Sequence, residues 1–258
     1  MRTSNFICLA LFIGLLPALA ADSAAPNTLT DSEKVAGWRL LWDGNSSAGW
    51  RTPRTDVFPN RGWQITNGLL TVLPTGGGES GGGGDIITKE RFSQFELSVD
   101  FQISEGANSG IKYFVQPDIS PIDKNTGKPT AVGSAIGPEY QLLDDLRHPD
   151  AKAGRNGNRT LGSLYDVMPA ATLKKPNPIG EWNTARIVVT GKHVEHWLNG
   201  EKILEFDRGS EPFRKEVALS KFKNIPDFGE WPDGHILLQD HGNRVSFRNI
   251  KIRIPATN

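Results

Sequence analysis

The 258-residue sequence predicts an all-β fold, a sandwich or jelly roll of two antiparallel sheets, and three observations carry that reading. Residues 95–103 alternate strictly, with Phe95, Leu97, Val99, Phe101 and Ile103 on one face and Glu96, Ser98, Asp100 and Gln102 on the other. Two Asn-Gly pairs, Asn67-Gly68 and Asn199-Gly200, each stand between runs of strand-forming residues, the strongest short-range signal for a hairpin. No window of a dozen residues sustains a helical period, and Glu211 to Phe222 is the best candidate for one short helix. Many short strands broken by turn residues point to paired sheets over a shared core, with a curved polar face free for a ligand.

The elements follow in order. Arg2 and the apolar run Phe6 to Leu19, closed by Ala18-Leu19-Ala20, form a secretory signal over residues 1–20, cleaved near Ala20. The run falls short of the roughly 20 apolar residues that span a bilayer. An exported chain, periplasmic or secreted, is expected, with a leader at residues 21–37 and one domain at 38–258. Trp38 to Trp42 is a strand ending at Asp43-Gly44, and Trp63–Thr66 with Leu69–Val72 is the first hairpin. Seven glycines between Thr75 and Asp85 form a surface loop, either a lid over a site or slack, since no Gly-Lys-Ser/Thr follows to make a phosphate loop. Ile187–Thr190, His193–Leu198 and Lys202–Phe206 are strands about the second hairpin. Gly234–Gln239 and Val245–Ile254 close the chain.

Composition excludes several classes. Lys+Arg and Asp+Glu are equal at 29 each, so no basic field exists to attract nucleic acid. The single cysteine, Cys8, lies inside the signal, so the mature chain has no disulfide, thiol nucleophile or thiolate metal site.

Four constellations carry chemistry. In Gly137 to Asp145, a strand would put Glu139 and Gln141 on one face, with Asp144 joining only through a bulge. Retaining glycosidases need two carboxyls about 5–5.5 Å apart, and Gln141 takes the place of the middle carboxylate in that pattern. Asp144, Asp145, His148 and Asp150 offer either oxygen-rich ligands for a divalent ion or a turn held by local hydrogen bonds. Gln239 and His241 share a strand face, with His241 at a polar strand end where a general base could sit. Asn108-Ser109-Gly110 turns the chain into a strand with Lys112 and Phe114 on one face and Ile111 and Tyr113 on the other. Lys112 is either an oxyanion stabiliser or a solvated edge residue. Arg248 shares a face with Ile250 and Ile252, which fits an ion pair as well as a substrate clamp.

Eight segments in order resemble the 3-keto-disaccharide hydrolase family of exported bacterial proteins. They are Leu41-Trp42-Asp43-Gly44 with Gly49-Trp50, Phe95-Glu96-Leu97, Asn108 to Ile111, Glu139-Tyr140-Gln141, Gly162 to Tyr165, Gly180 to Asn183, Trp197 to Gly200, and Leu238 to Gly242 with Phe247 to Ile250. The resemblance implies a concanavalin A-like lectin/glucanase jelly roll. It also implies a concave sheet that binds an oxidised sugar through Glu139, Gln141, Tyr165, Gln239 and His241.

A carbonyl at sugar C3 acidifies the C2 proton, so a base can form the enolate, the C1 oxygen can leave, and water can add back. The expected catalytic set is Glu139, His241, Lys112, Asp144 and Tyr165. Either His241 or Glu139 is the base, Lys112 and Gln239 lie near the oxyanion, and Tyr165 or Asp144 lies near the leaving oxygen. Gln141, Gln239, Asp100, Trp197 and Arg248 are the expected sugar contacts, the partner is an oligosaccharide or glycoside, and no cofactor is required, a divalent metal being the open alternative. Two other readings stand beside this one: a non-catalytic carbohydrate-binding module that stacks sugars on Trp50, Trp63 or Trp197, and an ordinary retaining β-glucanase.

Overall fold

Both Asn-Gly pairs turn the chain as their composition requires. Asn67 and Gly68 have φ of 51° and 71°, and Asn199 and Gly200 have 50° and 83°, the paired positive values of the turn whose twist matches right-handed strands. The first turn joins β3 (Trp63–Thr66) to β4 (Leu69–Val72), and the second joins β10 (His193–Leu198) to β11 (Glu201–Asp207). The computed structural model describes residues 25–119 and 134–255. The expected signal segment at residues 1–20, with Cys8, lies outside the described residues.

The other strands are β1 (Arg39–Leu40), β2 (Trp50–Arg51), β5 (Ile86–Thr88), β6 (Phe95–Ile103), β7 (Asn108–Val115), β8 (Glu139–Leu143), β9 (Asn183–Thr190), β12 (His235–Leu238) and β13 (Val245–Arg253). Two antiparallel sheets result. The larger runs β11-β10-β9-β6-β13-β4-β3, with β1 on the second half of β13, and the smaller runs β2-β5-β12-β7-β8. This is the concanavalin A-like jelly roll that the sequence leads one to expect. α2 (Glu211–Ala218) fills the first part of the expected helix, started by the Ser210 side chain accepting from the Phe213 N–H. Part of the leader is ordered against the larger sheet. α1 (Asp31–Val35) carries a capping box between Thr30 and Glu33, and Glu33 pairs with Lys251 of β13. No described helix is long and apolar enough to cross a membrane.

The core lies between the sheets, where Leu97, Phe101, Phe247 and Ile252 of the larger sheet face Ile111, Tyr113, Tyr140 and Leu238 of the smaller. Each such burial contributes about 1.5–3 kcal/mol. His196 sits in this core at 0% exposure, its Nδ1 donating to Gly162 O and its Nε2 accepting from the Tyr113 hydroxyl, both at 2.9 Å. A carbonyl only accepts, so Gly162 fixes this neutral tautomer. Trp50 and Trp63 are core residues as well, at 1% and 7% exposed, which removes both as sugar platforms. Burying an indole requires a partner for its N–H, and these two find Leu41 O and Gly84 O.

Three face assignments made from alternation differ from the structure. Glu96 and Ser98 are buried rather than wet, because Arg186 and Arg253 both lie on the Glu96 carboxylate. Phe114 leaves the face of Lys112: at φ 51° it turns inward onto Phe95 and Tyr113, where the pairing of β12 with β7 shifts register between His235 and Leu237. Arg248 leaves the face of Ile250 and Ile252 because the pairing of β13 with β6 shifts between Arg248 and Lys251, around Asn249 at φ 50°. A strand bulge reverses alternation, and composition gave no sign of either one.

Candidate active site

The outer face of the smaller sheet is polar at one end. The registers Lys112↔Glu139 and Gly110↔Gln141 align β7 with β8, while Leu237↔Lys112 and Leu237↔Ile87 align β12 and β5 with them. By period-two alternation, Asp85, Asn108, Gly110, Lys112, Glu139, Gln141, Gln239 and His241 all stand on this face. Ile87, Val115, Ala135 and Leu237 form a small apolar cluster beside them. Above the bed is a cavity of about 910 Å³, lined by Glu79, Lys112, Glu139, Gln141, Tyr165, Lys221, Gln239 and His241 among others. That volume is within the range of small-molecule sites.

Gly110 is what lets the carboxylate lie in the bed. A Cβ built there would stand 2.0 Å from Glu139 Oε1, so any larger residue displaces the carboxyl. Gln141 completes the seat, its amide nitrogen turned to donate to Glu139 Oε1 and Ser109 O at 3.2 Å. Burial holds the Glu139 carboxyl above its ordinary value, with Lys112 and Lys221 opposing.

Lys112, 5% exposed, spends its ammonium on Ser134 Oγ at 3.2 Å and Ala135 O at 3.4 Å. Asp85 Oδ2 lies 3.7 Å from it and Glu79 Oε1 3.9 Å. Burial works to discharge this lysine, but Asp85, Glu139 and Glu79 outweigh it and hold its pKa above the ordinary value. Complete burial pushes Asp85 up to about 7 against the pull of Lys112. His241 is pushed below its usual value by burial, and its Nδ1 is buried with no hydrogen-bond partner among the described residues. Gln239 Oε1 is likewise buried and unpaired.

The walls come from loops. The glycine loop is not slack: Asp240 Oδ2 accepts the N–H groups of Gly82, Gly83 and Gly84 at 3.0, 2.8 and 3.0 Å. Thr75 and Gly77 donate to Gly242 O. Thus tethered, the loop delivers Glu79 to the cavity, where Ser134 Oγ donates to it at 2.9 Å. Residues 162–165 run along the free edge of β8 through Gln141 N to Ser163 O and Tyr165 N to Glu139 O, which brings Tyr165 to the opposite wall. The Tyr165 hydroxyl donates to Asp150 at 2.8 Å, and Arg159 joins Asp150 to Asp166.

Six of the ten residues expected from sequence therefore line one cavity: Glu139, His241, Lys112, Tyr165, Gln141 and Gln239. Four do not. Asp144 is buried in the turn after β8, its carboxylate taken by the N–H groups of Gly106 and Leu146 and by Arg147. Those donors hold its pKa below the ordinary value although burial opposes them, so it is no proton donor. Asp100, Trp197 and Arg248 lie on the outer face of the larger sheet, across the molecule. Asp100 there accepts from Thr184 and Asn249, Arg248 stacks on Trp182 at 4.1 Å, and Arg186 lies over Trp197 at 4.8 Å.

Asp144, Asp145, His148 and Asp150 also part company. Asp145 holds Leu161 N–H and Lys174, and His148 accepts from Asp150 N–H to start the short 3-10 helix Pro149–Lys152. Sequence reasoning missed Asp85, Glu79, Lys221 and Asp240. Asp85 had a signal, being in phase with Ile87 at the start of a strand. Glu79 arrives on an aperiodic loop that carries none, and Lys221 lies beyond the end of α2, in the part of the expected helix that does not form.

Residues 37–253 match the family described as a 3-keto-alpha-glucoside-1,2-lyase-like domain. The chain is similar to a 3-keto-disaccharide hydrolase of Bacteroides thetaiotaomicron, 36% identical over 234 residues that cover 84% of this chain and 78% of that protein. It is also similar to a crystallised Parabacteroides distasonis protein assigned as a candidate glycosyl hydrolase, at 33% identity and TM-score 0.72, covering 90% of this chain and all (100%) of the other. A second crystallised P. distasonis protein with the same assignment shows 26% identity and TM-score 0.57, covering 84% of this chain and 99% of that one.

Proposed function

The chain belongs to the 3-keto-alpha-glucoside-1,2-lyase-like family, and from that premise we propose that it cleaves 3-keto-glycosides by elimination across C1–C2 followed by hydration. That it is a carbohydrate-active hydrolase follows from its relatives; the oxidised substrate and the route are the proposal. One observation carries it. On a single polar bed, a carboxyl that burial pushes up and an imidazole that burial pushes down face the same cavity beside a fixed ammonium.

Groups driven in opposite directions by their surroundings divide the acid and base roles between them. His241, kept neutral, takes the C2 proton as the electron pair moves to the C3 carbonyl oxygen. The enolate collapses, the C1–O bond breaks, and Glu139, kept protonated, delivers its proton to the departing oxygen. Glu139 then takes a proton from water as the hydroxyl adds to C1, and His241, its proton exchanged with solvent, protonates C2, so both groups return to their starting states and the sum is hydrolysis. Lys112 supplies a positive field beside the bed, and Gln239 offers its amide to the sugar. Tyr165, its hydroxyl committed to Asp150, walls the cavity rather than transferring a proton.

This route does not need the carboxylate pair that Gln141 interrupts, which sets it apart from ordinary retaining hydrolysis. Turnover in deuterium oxide tests it. The route leaves one solvent deuterium at C2 of the released 3-keto sugar, beyond the exchange seen without enzyme; direct displacement at C1 would leave that C–H bond untouched. His241→Ala should abolish the incorporation.

A further inference from the structure

Among the cations that line the cavity, Lys112 and Lys221 differ most in what their donors are doing. The Lys112 ammonium is occupied by Ser134 Oγ and Ala135 O, with Asp85 and Glu79 beside it, so a new hydrogen bond to a ligand would have to break an old one. Lys221 is the reverse case. Among the described residues its ammonium meets no hydrogen-bond acceptor and no carboxylate within ion-pair distance. It lies 4.2 Å from the centre of the Tyr165 ring and 5.1 Å from that of Phe222, over their faces.

The segment that carries it is well held. Lys221 N–H donates to Asp166 Oδ2 at 2.7 Å, Phe222 N–H donates to Ser220 Oγ at 3.0 Å, and the Phe222 ring is buried against Phe228 at 4.1 Å. Arg159 in turn fixes Asp166. The two flanking rings favour a cation through their π faces but provide no acceptor. Glu139 lines the same cavity and is the largest attraction on this lysine, though burial outweighs it and lowers the lysine's pKa.

We propose that Lys221 is a catalytic residue that donates a hydrogen bond to the C3 oxygen of the substrate as negative charge develops there, while Lys112 acts as a fixed positioning cation. The inference rests on the elimination route above. The ammonium keeps its proton throughout; what changes is the charge it faces, from a neutral carbonyl to an enolate oxygen. A donor aimed at charge that exists only in the transition state stabilises that state over the ground state.

The direct test uses 1,5-anhydro-3-keto-glucitol, which has no leaving group at C1 and so isolates enolate formation. Exchange of its C2 proton for solvent deuterium is followed by NMR on the full chain, and its binding by calorimetry. We expect Lys221→Met to slow exchange about 100- to 1000-fold, the usual cost of one oxyanion donor, with Kd changed less than about 10-fold. Lys221→Arg, which keeps the charge, should recover at least about 10-fold of that loss. Exchange by Lys221→Met at the wild-type rate, or an equal loss in binding and exchange, would overturn the assignment. Wild-type protein that hydrolyses 3-keto-glycosides yet exchanges no C2 proton would instead strike the elimination route itself.

Discussion

Gly110 and Glu139 show how a single missing Cβ supports the chemistry. The atom that a larger residue would strike is the end of the Glu139 side chain, which can swing away, so Gly110→Ala should fold with little loss of stability. It should nevertheless lower kcat about 100-fold, since displacing a reacting group by about 1 Å costs that much. Thermal unfolding and kinetics on a 3-keto-glycoside check both halves. The two titrating residues fix the pH profile. His241 must be neutral, so kcat/KM rises with pH through a value below the usual imidazole range. Glu139 must be protonated, so it falls again through a value above the usual carboxyl range. Glu139→Gln should remove the falling limb and keep the rising one; a falling limb that survives would assign the acid elsewhere. The pairing of Glu139 with Gln141 and of Gln239 with His241 was legible from period-two alternation alone. Lys112 was legible as a position but not as a role, because its four neighbours come from three other parts of the chain.

At the scale of elements, the glycine loop and the strand end at Asp240 work as one unit. Three loop N–H groups converge on one Asp240 oxygen, and Gly242 N–H donates to the other. Asp240→Asn keeps the shape but loses the charge that favours four donors. We expect a stability loss of about 2–3 kcal/mol by urea unfolding, on the scale of hydrogen bonds to a charged acceptor. Faster hydrogen exchange at Gly82, Gly83 and Gly84 should accompany it, with a raised KM because Glu79 is released from Ser134. Unchanged exchange at those glycines would mean that something else tethers the loop. A run of seven glycines carries no periodicity, so its sequence gave only freedom, not the anchor that removes it. The bulges at Phe114 and Asn249 escaped for a related reason: alternation assumes an unbroken ladder, and each sits where the pairing register shifts.

For the whole molecule, the sandwich separates two faces that the linear sequence mixes. Asp100, Trp197 and Arg248 looked like sugar contacts because they are polar or aromatic strand residues, yet their strands belong to the larger sheet and their side chains to its far side. The core between the sheets holds its own titrating group. His196 takes up a proton near pH 6.5 when unfolded but only near pH 4 when folded, because burial opposes the charge. Between those values the unfolded chain binds more protons, so the stability supplied by the neutral imidazole is full above pH 6.5 and is lost as pH falls toward 4. The difference is about 3 kcal/mol, and urea unfolding at pH 7 and pH 4.5 should show most of it in the wild type but not in His196→Gln. The central claim concerns the substrate, and one comparison meets it most directly: turnover of a 3-keto-glucoside against its unoxidised parent under identical conditions. The account predicts cleavage of the keto compound and at least about 1000-fold slower cleavage of the parent, which lacks the acidified C2 proton that general base catalysis requires. Equal turnover of the two would contradict it.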